Sequence, residues 1–279
     1  MATSNFSEAW LDGPGHHKFY TRTYAAKPSK AVIVFLTGFT DHVGRYEEIH
    51  TGIAQHGFTV FAYDMRGFGR TALDAEHRSA DEYYGKTRRD LELSDLQWWI
   101  EYVGREYEHV PIFLLGFSAG AALASAFVTR THAPPSREIA CKVSGIIELS
   151  PLYRLARQPP AIVRYAVQGL SKIAPAFPVP TPVPAERFSH DPTVAQKFKE
   201  DRLRMSRGTA QGLHDMISQG EKLVRNDYKN WPKALPLLML WGTADQASIY
   251  TEHHAWRRTP NPIIRSIVLV EYEVRLQTV

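Results

Sequence analysis

The stretch Ile112-Phe113-Leu114-Leu115-Gly116-Phe117-Ser118-Ala119-Gly120-Ala121-Ala122-Leu123-Ala124-Ser125-Ala126 changes character at its midpoint. Its first four residues are apolar and bulky, the mark of a short buried strand, whereas the alanine-rich run that follows is strong helix former. The two glycines between them permit a tight turn with Ser118 at its apex. A strand that passes directly into a helix is the repeating unit of a parallel sheet.

Reading outward, the same kind of apolar run recurs at Ala31 to Leu36, Thr59 to Tyr63, Val143 to Leu149 and Leu235 to Trp241. Each predicts a buried strand. His17 to Ala25 alternates apolar and polar residues and predicts an antiparallel strand at the start of the sheet, and Arg265 to Tyr272 supplies a candidate final strand. Thr87 to Val103 reads as a helix, with Thr87 and Asp90 resembling a capping box and Leu91, Leu96, Trp99 and Val103 on one face. The expected fold is α/β: a mostly parallel sheet with helices on both faces.

The alternation of strand and helix stops between about residues 152 and 231. That region has no evident strand, several helical patterns and the proline-rich run Ala174 to Pro184, so it reads as an inserted helical cap. Within it Ile162, Val163, Ala166, Leu170 and Ile173 fall on one side of a helix, with Arg164, Gln168 and Lys172 elsewhere. A basic amphipathic helix of this kind suits either packing over the core or peripheral contact with a membrane.

With 279 residues, of which 44% are hydrophobic and 22% charged, the chain has material for a single domain over 1–279. The formal charge of +4 is spread along the chain and forms no basic stripe, which argues against nucleic acid as a partner. No apolar run reaches the roughly 18 residues of a membrane span. The first residues lack the basic start and apolar stretch of a secretory signal. The expectation is a cytoplasmic protein, with room for peripheral attachment to membranes or lipid droplets. Cys141 is the one cysteine, expected to be buried beside the Val143 run.

A serine hydroxyl is a poor nucleophile unless it is exposed, paired with a base and placed beside donors for the developing oxyanion. Gly116-Phe117-Ser118-Ala119-Gly120 provides the exposure. The backbone N–H of Ala119 is then one oxyanion donor, and the N–H of Phe39, in Leu36-Thr37-Gly38-Phe39 after the strand at Ala31 to Leu36, is the second. An acid belongs after a late strand, where Gly242-Thr243-Ala244-Asp245 follows the run at Leu235, making Asp245 the candidate. No metal site is expected among these residues.

At these residues the chain resembles the monoglyceride lipase group of α/β-hydrolases, to which lysophospholipases and serine aminopeptidases are related. The resemblance runs from about Asp12 to Gln246 and is carried by Asp41-His42-Val43-Gly44-Arg45-Tyr46-Glu47-Glu48, Asp64-Met65-Arg66-Gly67-Phe68-Gly69, Phe113 to Ser118, and Gly242 to Asp245. It implies an eight-stranded sheet, a helical cap over an acyl-binding tunnel, and hydrolysis of monoacylglycerols or lysophospholipid-like esters without a cofactor. The chain departs from the pattern at Thr37, where a histidine usually precedes the glycine, and at Phe117 and Ala119, where histidine and methionine are frequent.

The resemblance also implies a catalytic histidine about thirty residues beyond the acid. That position falls near Gln277, so the tail over 247–279 is atypical or truncated relative to the family. The histidines after Asp245 are His253 and His254, which are weak candidates for the base, while His190 and His214 lie in the inserted region. Two alternatives stay open: a catalytically impaired homologue that binds lipids or a partner, and a serine aminopeptidase.

Overall fold

The computed structural model describes residues 5–182, 184–185, 191–242 and 267–272. In chain order they form β1 (Ser7–Asp12), β2 (Lys18–Tyr24), β3 (Val32–Leu36), α1 (Glu47–Gln55), β4 (Thr59–Tyr63), α2 (Gly69–Leu73), α3 (Arg89–Glu106), β5 (Ile112–Phe117), α4 (Ala119–Thr129), α5 (Arg137–Ala140) and β6 (Val143–Leu149). They continue with α6 (Ala161–Ile173), β7 (Pro178–Pro180), α7 (Pro192–Glu200), β8 (Arg207–Thr209), α8 (Ala210–Arg225), β9 (Leu237–Gly242) and β10 (Ile267–Tyr272).

Among these residues eight strands make one sheet in the order β1-β2-β4-β3-β5-β6-β9-β10. The pairs β1–β2 and β2–β4 are antiparallel, and the others are parallel. Successive side chains of a strand point to opposite faces, so β3 sends Val32, Val34 and Leu36 into one core and Ile33 and Phe35 into another. The first core takes Leu93, Leu96, Trp99, Ile100 and Val103 of α3, Leu123 and Phe127 of α4, and Leu223 and Val224 of α8. The second takes Val43 and Tyr46, with Ile53 and Ala54 of α1 against it. Helices on both faces, as expected, explain why β3, β4 and β5 are apolar along their whole length.

Four local expectations need correction. Thr87 does not cap α3: its hydroxyl donates to Glu92 Oε1 at 2.6 Å, because the buried Glu92 carboxylate needs donors. Cys141 is exposed, since it ends the short helix α5 before β6 enters the sheet. The inserted region does contain strands, β7 and β8, which pair antiparallel with Val179 opposite Gly208. Each is only three residues long, and two of those in β7 are proline, so no alternation betrays them. Finally, β1 precedes the expected first strand and is pinned to β2, with Trp10 packed edge-on against Tyr20.

The loop after β4 is fixed by charge. Arg66 makes two hydrogen bonds to Asp95 of α3, at 2.7 and 2.9 Å, with both side chains almost wholly buried. Removing one partner would leave the other as an uncompensated buried charge. Asp95→Ala is therefore expected to destabilise the fold by about 3–5 kcal/mol, measured as a lower urea midpoint with an unchanged slope.

Candidate active site

From β3 the chain moves to one side to form β4, then returns to lay β5 on the other side of β3. The reversal leaves a crevice at the carboxyl ends of β3 and β5, the place where open α/β sheets bind ligands. The register sets the groups there: Leu36 pairs with Gly116 and Phe117 with Leu149, so Thr37-Gly38-Phe39 and Ser118 emerge side by side. A β-carbon on Gly38 would lie 3.5 Å from the Ser118 Cβ.

Ser118 adopts φ 53° and ψ −114°, a conformation that costs a residue with a side chain roughly 1–3 kcal/mol. The surroundings enforce it. Its N–H donates to the Leu149 carbonyl at 2.9 Å, and its carbonyl accepts from the Leu152 N–H at 3.0 Å. A β-carbon on Gly116 would come within 2.4 Å of the Ala121 Cα, and one on Gly120 within 2.4 Å of the Leu36 and Thr37 carbonyl oxygens. Only glycine at both places lets α4 pack this closely on β3 and β5. Ala119 opens α4, so its N–H has no intrahelical acceptor and lies at the positive end of the helix. Among the described residues neither it nor the Phe39 N–H donates to a backbone acceptor.

The next part of the loop is held by carboxylates. Asp41 accepts from the His42 N–H at 2.9 Å, from Arg45 at 3.1 Å and from the Tyr46 hydroxyl at 2.6 Å. Asp64, fully buried, accepts from the backbone of Val43 at 2.8 Å and Arg70 at 2.7 Å. His42 Nε2 meets Asp201, just past α7, at 2.7 Å. Burial alone would lower the His42 pKa, but the Asp201 carboxylate, joined by Asp64 and Asp41, raises it. Burial acts in the opposite sense on Asp201, and His42 outweighs it to hold that carboxyl below its usual range. The sequence offered Asp41 to Tyr46 as part of the family resemblance, without showing that these residues bond to one another or to Asp201.

A cavity of about 900 Å³ opens onto Ser118. Gly38, Phe39, Phe117 and Leu152 wall it from the core side, while Val163, Val167, Leu213, Met216 and Ile217 close it from α6 and α8. Helix α6 divides its apolar residues: Val163 and Val167 line the cavity together with Arg164 and Gln168, whereas Ile162 and Ile173 face outward at 78% and 83% exposure. His214 of α8 is also in the cavity wall. Strand β9 ends at Gly242, and Asp245, His253, His254 and His190 lie outside the described residues.

A family model described as "Serine aminopeptidase, S33" matches residues 27–261. The chain belongs to this hydrolase family. It is a monoglyceride-lipase-like α/β-hydrolase, 28% identical over 235 residues to a Schizosaccharomyces pombe protein named after monoglyceride lipase, in a match covering 82% of this chain and 58% of that one. The chain thus spans less than two thirds of that relative. A monoacylglycerol lipase of Mycolicibacterium smegmatis is 24% identical over 78% of this chain and 71% of its own. Among solved structures, a soluble variant of Saccharomyces cerevisiae monoglyceride lipase, in complex with a substrate analog, superposes with a TM-score of 0.82 at 19% identity, covering 99% of this chain and 89% of that chain.

One buried acid of this α/β-hydrolase was not singled out from the sequence. Glu148, on β6 just before Leu149, is fully buried and accepts from the hydroxyls of Ser125, at 2.5 Å, and Tyr153. Burial raises its pKa to about 7, against the opposing effect of the two hydroxyl donors. The folded state therefore holds a proton that the unfolded chain releases near pH 4.5. Stability is expected to be greatest below that pH as far as this group is concerned, and to fall by roughly 3 kcal/mol between about pH 4.5 and 7. Glu148→Gln should flatten that part of a stability profile measured by denaturant titration between pH 5 and 8.

Proposed function

We propose that this chain is a serine hydrolase that cleaves lipid-type carboxylic esters, monoacylglycerols or lysophospholipid-like molecules, through an acyl-enzyme on Ser118. The observation that carries the reading is the meeting of a strained, half-buried serine with a large apolar cavity at the switch point of the sheet. In the proposed reaction the Ser118 oxygen attacks the ester carbonyl while a base takes its proton, and the Phe39 and Ala119 N–H groups receive the oxyanion. The alcohol leaves with that proton. Water then attacks the acyl-enzyme, releasing the fatty acid and restoring the serine. Asp245 is assigned as the acid that orients the base, with His253 and His254 as candidates for the base itself.

Charge placement favours an ester over the aminopeptidase alternative, whose substrate would need a carboxylate for its ammonium group. The described acids of the inserted region are engaged elsewhere: Asp191 caps α7, Glu200 accepts from Gln196, and Asp201 pairs with His42. Asp215 accepts from the Arg89 N–H, Glu221 pairs with Arg164, and Asp227 with Lys222. Among the described residues the one acid in the cavity wall is Asp41, already satisfied by three donors, against Arg157, Arg164 and Arg204.

Fluorophosphonate labelling of the wild-type chain, lost in Ser118→Ala together with at least ~10³-fold of monoacylglycerol hydrolysis, is the expected result. The same labelling in His253→Ala, His254→Ala and His214→Ala identifies the base. No labelling of the wild type would instead assign a lipid-binding role. Faster turnover of aminoacyl arylamides than of monoacylglycerol would assign a peptidase.

The outward apolar stripe of α6, with Lys172 beside it, is proposed to rest on an anionic lipid surface and bring the cavity to its substrate. Burying an Ile side chain contributes roughly 1.5–3 kcal/mol. Replacing Ile162 and Ile173 together by Asp is expected to weaken co-sedimentation with vesicles containing phosphatidylglycerol by at least ~10²-fold, with no change in melting temperature.

A further inference from the structure

Behind the turn that carries the Phe39 N–H lies a second, much smaller cavity. Gly38, Phe39 and Met216 wall both spaces, and Thr37, Met65, Phe68, Arg89, Glu92 and Ala119 complete the small one. It therefore touches both residues assigned as oxyanion donors.

Two polar atoms here have no hydrogen-bond partner among the described residues: Thr37 Oγ1 and Arg89 Nε. Thr37 is fully buried and Arg89 is 4% exposed. Arg89 is anchored at two other points. Its Nη1 lies 3.1 Å from Glu92 Oε2, and its backbone N–H donates to Asp215 at 2.9 Å. Glu92 in turn receives the Thr87 hydroxyl. The remaining wall, Met65, Phe68 and Met216, offers no strong acceptor. Leaving a buried donor and a buried hydroxyl unpaired is costly, and native structures satisfy such groups.

The free space admits the centre of a water molecule over about 10 Å³, which is the size that holds one water and no larger ligand. We infer that this chamber is the binding site of a single buried water, which accepts from Arg89 Nε and hydrogen-bonds Thr37 Oγ1. Thr37 and Arg89 thereby act as positioning residues for the oxyanion turn. The water ties the side chain that begins the turn Thr37-Gly38-Phe39 to a guanidinium anchored on α3, and so fixes the peptide plane whose N–H must meet the oxyanion. A donor contributes to catalysis only if it is held where the charge develops.

The inference rests on the proposed serine-hydrolase reaction, and Thr37→Val separates the two. Valine keeps the shape of threonine and removes only the hydroxyl. The expected result is a kcat for a short-chain soluble ester lowered about 10-fold, a fraction of the loss seen when an oxyanion donor is deleted outright. KM and the melting temperature should not change, and Thr37→Ser should recover most of the rate. Oxygen-17 water relaxation dispersion should count one fewer long-lived water in Thr37→Val than in the wild type. A kcat within twofold of wild type, an equal water count, or a rate loss that Thr37→Ser does not recover would overturn the positioning role. If the wild type neither turns over nor takes a fluorophosphonate label, the proposed reaction fails, and the water count alone still decides whether the chamber holds its water.

Discussion

The close approach of α4 to the strand ends governs the rest of the site. With Gly116 against Ala121 and Gly120 against the Leu36 and Thr37 carbonyls, the helix begins within one residue of the strand's end. Ser118 must then absorb the whole change of direction, and does so at φ 53°. The strain is local, whereas the packing that compensates it is spread over the α4 surface, which is buried along nearly its whole length. The same approach sets the Ala119 N–H at the open start of the helix and brings the turn after β3 alongside it.

The inserted region is joined to this arrangement at defined points. Gly208 of β8 lies against the Phe39 ring so closely that a β-carbon would come within 2.6 Å of it. Thr209 donates to the Gly85 carbonyl at 2.7 Å, Tyr84 donates to the Thr40 carbonyl and receives the Met205 N–H, and Asp215 receives the Arg89 N–H. The first reaches Phe39 itself, and the others reach Gly85, Thr40 and Arg89. The roof of the cavity and the donors beneath it are therefore parts of one packed unit, and a change in how the insertion sits is felt at Phe39.

The sheet was legible because its central strands are buried on both sides and so read as continuous apolar runs, with boundaries close to those of β3, β4, β5 and β6. The tight turn at Ser118 was legible because glycine spacing reports a backbone constraint. What escaped is what depends on tertiary partners. Glu148 looks like any strand glutamate until Ser125 and Tyr153 are seen to face it. Thr37 and Arg89 are fifty-two residues apart in sequence and meet only through the cavity behind the turn. The outward stripe of α6 was visible as a periodicity, but periodicity cannot say which side of a helix meets the protein.

The two halves of the site have different energetic tasks. An acyl chain entering the cavity gains about 0.8 kcal/mol for each methylene removed from water. That gain is the same in the ground state and in the transition state, so by itself it tightens binding without hastening bond cleavage. Acceleration must come from groups whose interaction grows as the carbonyl oxygen becomes charged, and in the proposed reaction those are the N–H groups of Phe39 and Ala119. Their worth depends on rigidity, since a donor that must swing into place spends its energy on reorganisation. On the proposed reaction, this is the reason a buried arginine and a buried hydroxyl stand beside the turn where apolar residues would pack at less cost. Apolar packing is tolerant of small displacements, whereas a hydrogen-bonded water between two anchored groups is not.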